Sequence, residues 1–201
     1  IHVSITSEKE KPVFIQFTSK VTPIVDRYGP TEDELASFLS LPEGQIDHKK
    51  YSTRLVSCGF PYLIVPVYSY DVVRNARFNF QAWSQSIAPQ TAAQEILLFS
   101  LKTPFHDIDF NTRLVGPNIG LYEDPPVGSA MPAFAAYLCS FEHMQKGTYV
   151  FSVDRGETQQ RRSVINLEMD HKGEDTLTIR VGGTAVMVAE GCMKIPALEA
   201  I

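Results

Sequence analysis

The chain has 201 residues, 44% apolar and 20% charged, a composition that supports a sizeable buried core and excludes a disordered tract. Its 18 basic and 23 acidic residues give a net charge of -5 with Lys and Arg scattered, so neither nucleic acid nor an anionic membrane surface is an expected partner. Cys58, Cys139 and Cys192 stand far apart without metal-ligand spacing, which points to a reduced compartment, the cytoplasm, and to no cysteine-held metal.

The first residue is Ile1, and "IHVSITS" reads as a strand rather than as the parts of a signal peptide, so the chain is expected to begin in mid-protein. With the polar turn Glu8 to Lys11 and "VFIQFTS", it forms an expected hairpin. "GPTEDELASFLSL" marks a short surface helix: Thr31 caps, Glu34 answers it three residues on, and Leu35, Phe38 and Leu39 share a face. "STRLVSCGF" and "YLIVPVYS" are strands joined by a bend at Gly59, Phe60 and Pro61. "FQAWSQSIA" is an expected short helix with Trp83 and Ile87 facing the core, and "EILLFSLK" and "NTRLVG" are strands.

The longest uncharged run, Pro125 to Phe141, contains three prolines and a glycine, which argues against a membrane span. From Ser129 to Phe141 it is apolar on every face, and a helix without a polar side must be buried all round. After it, "TYVFSVDRG", "RRSVINLEMD", "TLTIRVGG" and "AVMVAEG" read as four strands of a meander. The expected fold is α+β, a mostly antiparallel sheet curled as a barrel around one central apolar helix. No linker, compositional break or repeat divides residues 1–201, so one domain is expected.

"EDPPVGSA", Glu123 to Ala130, runs directly into that helix. A helix start leaves its first amides without intrahelical acceptors and carries partial positive charge, so the amides of Gly128, Ser129 and Ala130 form a candidate carboxylate site. Gly128 permits close approach, Ser129 can cap or donate its hydroxyl, and Pro125 and Pro126 hold the loop extended, with Asp124 at the mouth. The plainer alternative is that Ser129 only caps the helix and Asp124 only complements its dipole.

The octet resembles the "EDPATGSA" signature of the PhzF-like family, the phenazine-biosynthesis isomerases and relatives with the diaminopimelate-epimerase fold. "TRLVGPNIGLYEDPPVGSA", "VDRGETQQRRSVINLEM", "VGGTAVMVAEGCMKIP" and "VSCGFPYLIVPVYS" are similar to further stretches of the family, so the likeness covers nearly all of the chain. The resemblance implies that residues 1–201 are the C-terminal portion of a protein with two similar halves and a cleft between them. It implies cofactor-independent acid/base isomerisation of a small carboxylate-bearing metabolite. Asp124 then assists a glutamate in moving a proton, and Gly128, Ser129 and Ala130 hold the substrate carboxylate.

Neither the family's "SET"-like motif, which carries that glutamate, nor its "GHAT"-like loop is found, so the isolated chain is expected to be inactive. The missing half, or a second copy in a homodimer, is the expected protein partner. Pro126 and Val127 stand where the family has Ala and Thr, and Arg155 where it usually has Gln, which puts substrate preference in doubt. A non-catalytic module that binds small molecules or partners and keeps only the anion site is the alternative.

Other features receive plainer readings. Cys58 lacks a facing cysteine and Cys139 reads as a core residue. Gly182, Gly183 and Gly191 lack a dinucleotide-binding context and read as turn glycines. His106, Asp107 and Asp109 read as a solvated loop rather than a metal site. Arg161 and Arg162 read as solvated strand-edge residues outside the site.

Overall fold

A computed structural model describes residues 1–9, 11–93, 95–120, 125–155, 162–173 and 176–193. The opening hairpin forms as expected: β1 (His2–Glu8) pairs antiparallel with β2 (Lys11–Val21), with Val3 opposite Phe17 and Ile5 opposite Ile15. Lys9 takes the left-handed conformation at the turn, with φ of 49°. Three further strands, β3 (Ile24–Asp26), β4 (Arg54–Ser57) and β5 (Pro61–Pro66), pair antiparallel in turn. The bend between the last two turns on Gly59, at φ of 109°, a value that glycine reaches without strain.

The chain continues through β6 (Glu95–Ser100), β7 (Phe110–Val115), β8 (Gly147–Asp154), β9 (Val164–His171) and β10 (Leu177–Thr184). All ten strands join one sheet in the order β1-β2-β10-β9-β8-β7-β6-β5-β4-β3. Most neighbours are antiparallel, but β5 with β6 and β7 with β8 are parallel, so the sheet is mixed. Parallel neighbours need a crossover. The first crossover carries α2 (Tyr70–Asn75) and α3 (Phe80–Gln85), and the second carries α4 (Met131–Cys139).

Two cores form on opposite faces. On one, Met131, Phe134, Tyr137 and Leu138 of α4 pack with Val56, Leu97, Phe99, Phe110, Leu167 and Ile179. On the other, Leu35, Phe38 and Leu39 of α1 (Glu32–Leu39) join Leu63, Val65, Leu98, Val73 and Trp83. Strands β5, β6 and β7 are therefore covered on both sides, which explains their continuous apolar runs. The α1 start is the capping box that the sequence predicts: the Glu34 amide donates to Thr31 Oγ1 at 3.3 Å, and the Thr31 amide donates to Glu34 Oε2 at 2.8 Å.

Several expectations are corrected. The sheet bends around α4, which contacts β4 and β5 on one flank and β9 and β10 on the other, but it does not close into a barrel. Its ends are β1 and the three-residue β3, too short a rung to seal a cylinder. The stretch 185–191 is not a strand. The Ala185 amide reaches Val13 at 3.3 Å, the next residue of β2 is Pro12, which has no amide to extend the ladder, and Val186, Met187 and Val188 are exposed.

Gly182 and Gly183 lie within β10 rather than at a turn. A Cβ on Gly182 would stand 2.6 Å from the Phe14 ring and 3.0 Å from the Ile15 carbonyl, so the glycine admits a close approach. Ile87 falls beyond α3 and is half-buried, leaving Trp83 as that helix's core anchor.

Candidate anion site at the start of the buried helix

The run 129–141 is helical over a shorter span than expected. A 3₁₀ turn, Gly128–Ala130, leads into α4, and Pro132 occupies the first helical turn, where its missing amide costs nothing. No side chain caps this start, so Ser129 does not act as the N-cap. The Ala130 amide donates to the Val127 carbonyl at 3.0 Å, and the Met131 amide donates to Gly128. Ala130 is itself buried, so its amide is turned to the turn's own bonding. The amides of Gly128 and Ser129 precede the first bond of the turn and have no acceptor within it.

Gly128 is half-buried, and a Cβ there would meet nothing within 4 Å, because open space begins at its α carbon. Ser129 is exposed. Burial raises the pKa of Tyr62 on β5, and the nearby Ser129 hydroxyl partly offsets this. Val127, where a threonine is usual in the signature, is buried in the α4 core. Asp124 lies outside the described residues, as does Arg161.

Beside this turn is a cleft of about 540 Å³. It is lined by Pro126, Val127 and Gly128 of the turn, by the apolar Ile15, Phe17 and Val181 with Gly182 and Gly183 of the sheet, and by Arg155, Arg162 and Ser163. The two arginines are the charged residues of its described lining. Sequence reasoning left Arg162 out as a solvated strand-edge residue. The structure places it on the cleft, because residues 155 and 162 flank the connection between β8 and β9 and meet through the Arg155 amide bond to the Ser163 carbonyl at 3.1 Å.

Arg162 is held by three neighbours. Its Nη2 donates to both oxygens of Asp107, at 3.0 and 3.3 Å, its guanidinium lies 4.1 Å from the centre of the Phe105 ring, and its Nε is 3.9 Å from a carboxylate oxygen of the buried Asp154. Arg162 keeps the exposed Asp107 carboxyl below its ordinary range. Asp154 is anchored through its own carbonyl, which accepts from Asn111 Nδ2 at 3.3 Å and Thr112 Oγ1 at 3.2 Å. Arg74 of α2 donates to the carbonyls of Arg155 and Thr112, tying the cleft residue Arg155 to the sandwiched part of the sheet.

The remaining candidates take structural parts. Cys58 donates to the Pro132 carbonyl at 3.4 Å, and burial pushes its thiol up to about 11. Cys139 is pushed up to about 12 by burial and lies 3.6 Å from Met169 Sδ. Both thiols are therefore protonated near neutrality. Asp109 accepts from the Ser152 amide at 2.8 Å, so the "FHDIDF" acids serve the β8 edge and Arg162. Among the described residues, no three His, Cys, Asp or Glu side chains gather as a metal site, and no helix is long and apolar enough to cross a membrane.

Chemically, the cleft joins a helix start to two guanidiniums, an arrangement that favours a small anion. The chain is 31% identical over 160 residues to an uncharacterized isomerase of Mesorhizobium japonicum, spanning 78% of this chain and 53% of the relative. It is 23% identical over 194 residues to the uncharacterized isomerase YfhB of Bacillus subtilis, spanning 96% of this chain and 61% of that protein. The chain thus spans about half the length of the first of these relatives. Its fold matches the crystal structure of the Bacillus anthracis phenazine biosynthesis protein of the PhzF family with a TM-score of 0.76, at 21% identity, over 96% of this chain and 64% of that one. The family model described as phenazine biosynthesis-like protein, PhzC-PhzF, matches residues 2–191, and this chain belongs to that family.

Proposed function

We propose that this chain is the anion-holding part of a cofactor-independent acid/base isomerase that shifts a proton, or epimerises a centre, on a small carboxylate-bearing metabolite. The observation that carries the reading is the cleft beside Gly128, charged among its described lining by Arg155 and Arg162 alone, in a chain of a family whose relatives are named isomerases. The first amides of the turn, those of Gly128 and Ser129, bind the substrate carboxylate. They fix the reacting carbon and stabilise negative charge that grows as the proton leaves. Asp124, four residues before Gly128, assists the proton transfer. The base, a glutamate, is supplied from outside residues 1–201, by the family's first half or by a partner chain.

The test is solvent-deuterium incorporation into candidate carboxylates by the full-length protein, followed by NMR. Wild type is expected to exchange a carbon-bound proton, and Asp124→Asn to lower the rate by about a hundredfold or more, the usual contribution of a general acid or base. Exchange by residues 1–201 alone would contradict an external base. A second reading is favoured by a described cleft lining that carries two arginines and no carboxylate to act as base: a binding module without chemistry. Saturable binding without exchange by the full-length protein would establish that reading instead.

A further inference from the structure

We infer that Arg54 is a positioning residue for the anion site: together with Cys58 and Tyr137 it fixes α4 along its own axis, and so fixes where the amides of Gly128 and Ser129 stand beside the cleft. The inference rests on the proposed anion site and deepens it by naming what holds that site in place.

Arg54, the first residue of β4, is 7% exposed, and among the described residues no carboxylate pairs with it. Burial foremost, and then the like charge of Arg27, lower its pKa. A buried charge is costly unless it makes bonds that an apolar residue could not replace. Here those bonds go to the end of α4. Arg54 Nη1 donates to the Ser140 carbonyl at 2.8 Å and to the Ser140 hydroxyl, while its guanidinium lies 3.6 Å from the centre of the Phe141 ring. Ser140 is the C-terminal cap of α4, where carbonyls lack intrahelical donors and the helix carries partial negative charge. The helix end is thus the counter-charge of the arginine.

Two further bonds join the same stretch of chain to the same helix. Cys58, directly after β4, donates to the Pro132 carbonyl in the first turn of α4 at 3.4 Å. The phenol of the buried Tyr137 donates to the Ser52 carbonyl, just before β4, at 2.8 Å. Strand β4 therefore runs antiparallel to α4 and is tied to it at both ends. The lengths agree: a strand rises about 13 Å from Arg54 to Cys58, and a helix about 12 Å from Pro132 to Ser140. On its other flank α4 meets β9 and β10, whose Leu167, Ile179 and Val181 belong to the same apolar core, with a weak sulfur contact between Cys139 and Met169. Apolar contact is non-directional and does not select one axial position, whereas a bonded carbonyl at each end does. The 3₁₀ turn at Gly128 runs straight into α4, so an axial shift of the helix carries the turn with it.

Titration of the ¹⁵N-labelled full-length protein with monomethyl glutarate, read at the Gly128 and Ser129 amides, tests this. Arg54→Met is expected to displace both amide resonances before ligand is added, although the substitution lies at the far end of α4. It is expected to weaken binding about tenfold, the loss of one charge-assisted bond to the carboxylate. Arg54→Lys, whose ammonium can reach the Ser140 carbonyl, is expected to recover part of that affinity. Leu35→Ala, a cavity in the opposite core, is expected to lower the melting temperature and leave the affinity unchanged. Wild-type affinity in a folded Arg54→Met variant, or an equal loss in Leu35→Ala, would overturn the role of Arg54 and leave the anion site standing. Absence of binding by wild type would overturn both together. Should Arg54→Met fail to fold, the double variant of Cys58→Ala with Tyr137→Phe, which removes the other two ties and keeps the arginine, decides: weakened binding supports the inference, and wild-type affinity overturns it.

Discussion

The sheet divides into a half that is covered twice and a half that is covered once. Strands β5, β6 and β7 lie between α4 and the layer of α1, α2 and α3, and nearly all of their residues are buried. Strands β2, β8, β9 and β10 turn one face toward the interior and the other, with Thr178, Arg180, Glu168 and Asp170, toward solvent. All seven residues of β1 are exposed. The candidate site occupies the seam: the helix that anchors the double-covered half begins where the single-covered half opens its cleft. The double-covered half thus positions the turn at Gly128, while the single-covered half supplies the arginines and the apolar lining.

This contrast can be broken most severely at Phe134. Its ring is fully buried and lies 5.1 Å from that of Phe99 and 5.2 Å from that of Phe110. Phe134→Ala is expected to cost about 3–5 kcal/mol, read as a lowered urea midpoint. At Val3, 51% exposed on β1, a Thr is expected to change stability by less than about 0.5 kcal/mol in the same measurement. Comparable losses at the two positions would erase the distinction between the halves.

A smaller effect lies on the outer face of the thin half. Asp170 accepts from Arg180 Nη1 and Nη2, both at 2.9 Å, and from Thr148 Oγ1 at 2.8 Å. Arg180 foremost, then Thr148, lowers its pKa below the ordinary aspartate value of 3.8. Because the folded value is the lower one, the stabilisation is complete above the unfolded value and disappears as pH falls from about 3.8 toward the folded value. Asp170→Asn is therefore expected to flatten the acid limb of the stability profile below about pH 4. An unchanged acid limb would show that the outer-face network adds nothing to the thin half.

Local signals carried much of the architecture into the sequence. Thr31 and Glu34 announced the α1 cap, the polar turn after Glu8 announced the first hairpin, and the uncharged run from Ser129 announced a buried helix. Pairing between distant segments was not legible. The parallel joints at β5 with β6 and β7 with β8 depend on crossovers, and β3 is three residues following Pro23. The missed α2 had a signal in Ser69, whose hydroxyl accepts from the Val72 amide at 3.4 Å.

At the candidate site, the octet marked Gly128 and Ser129 as amides at a helix start, and the resemblance implied the same anion-holding role for them. Arg162 was not legible, because adjacent arginines at a strand edge look the same in sequence whether they meet solvent or a cleft. Two glycines in a row read as a turn, whereas Gly182 serves the approach of Phe14 inside a strand. The alternation of residues 185–191 is a real strand pattern that lacks a partner beyond Pro12.

The most direct test of the anion site is an amide chemical-shift titration of the ¹⁵N-labelled protein with monomethyl glutarate. The account predicts saturable shifts that are largest at the Gly128 and Ser129 amides and smaller at Ala130, whose amide is already bonded to Val127. Shifts that fail to saturate there, or that concentrate instead at another cleft such as the one lined by Ser69, Asp71 and Lys102, would contradict it.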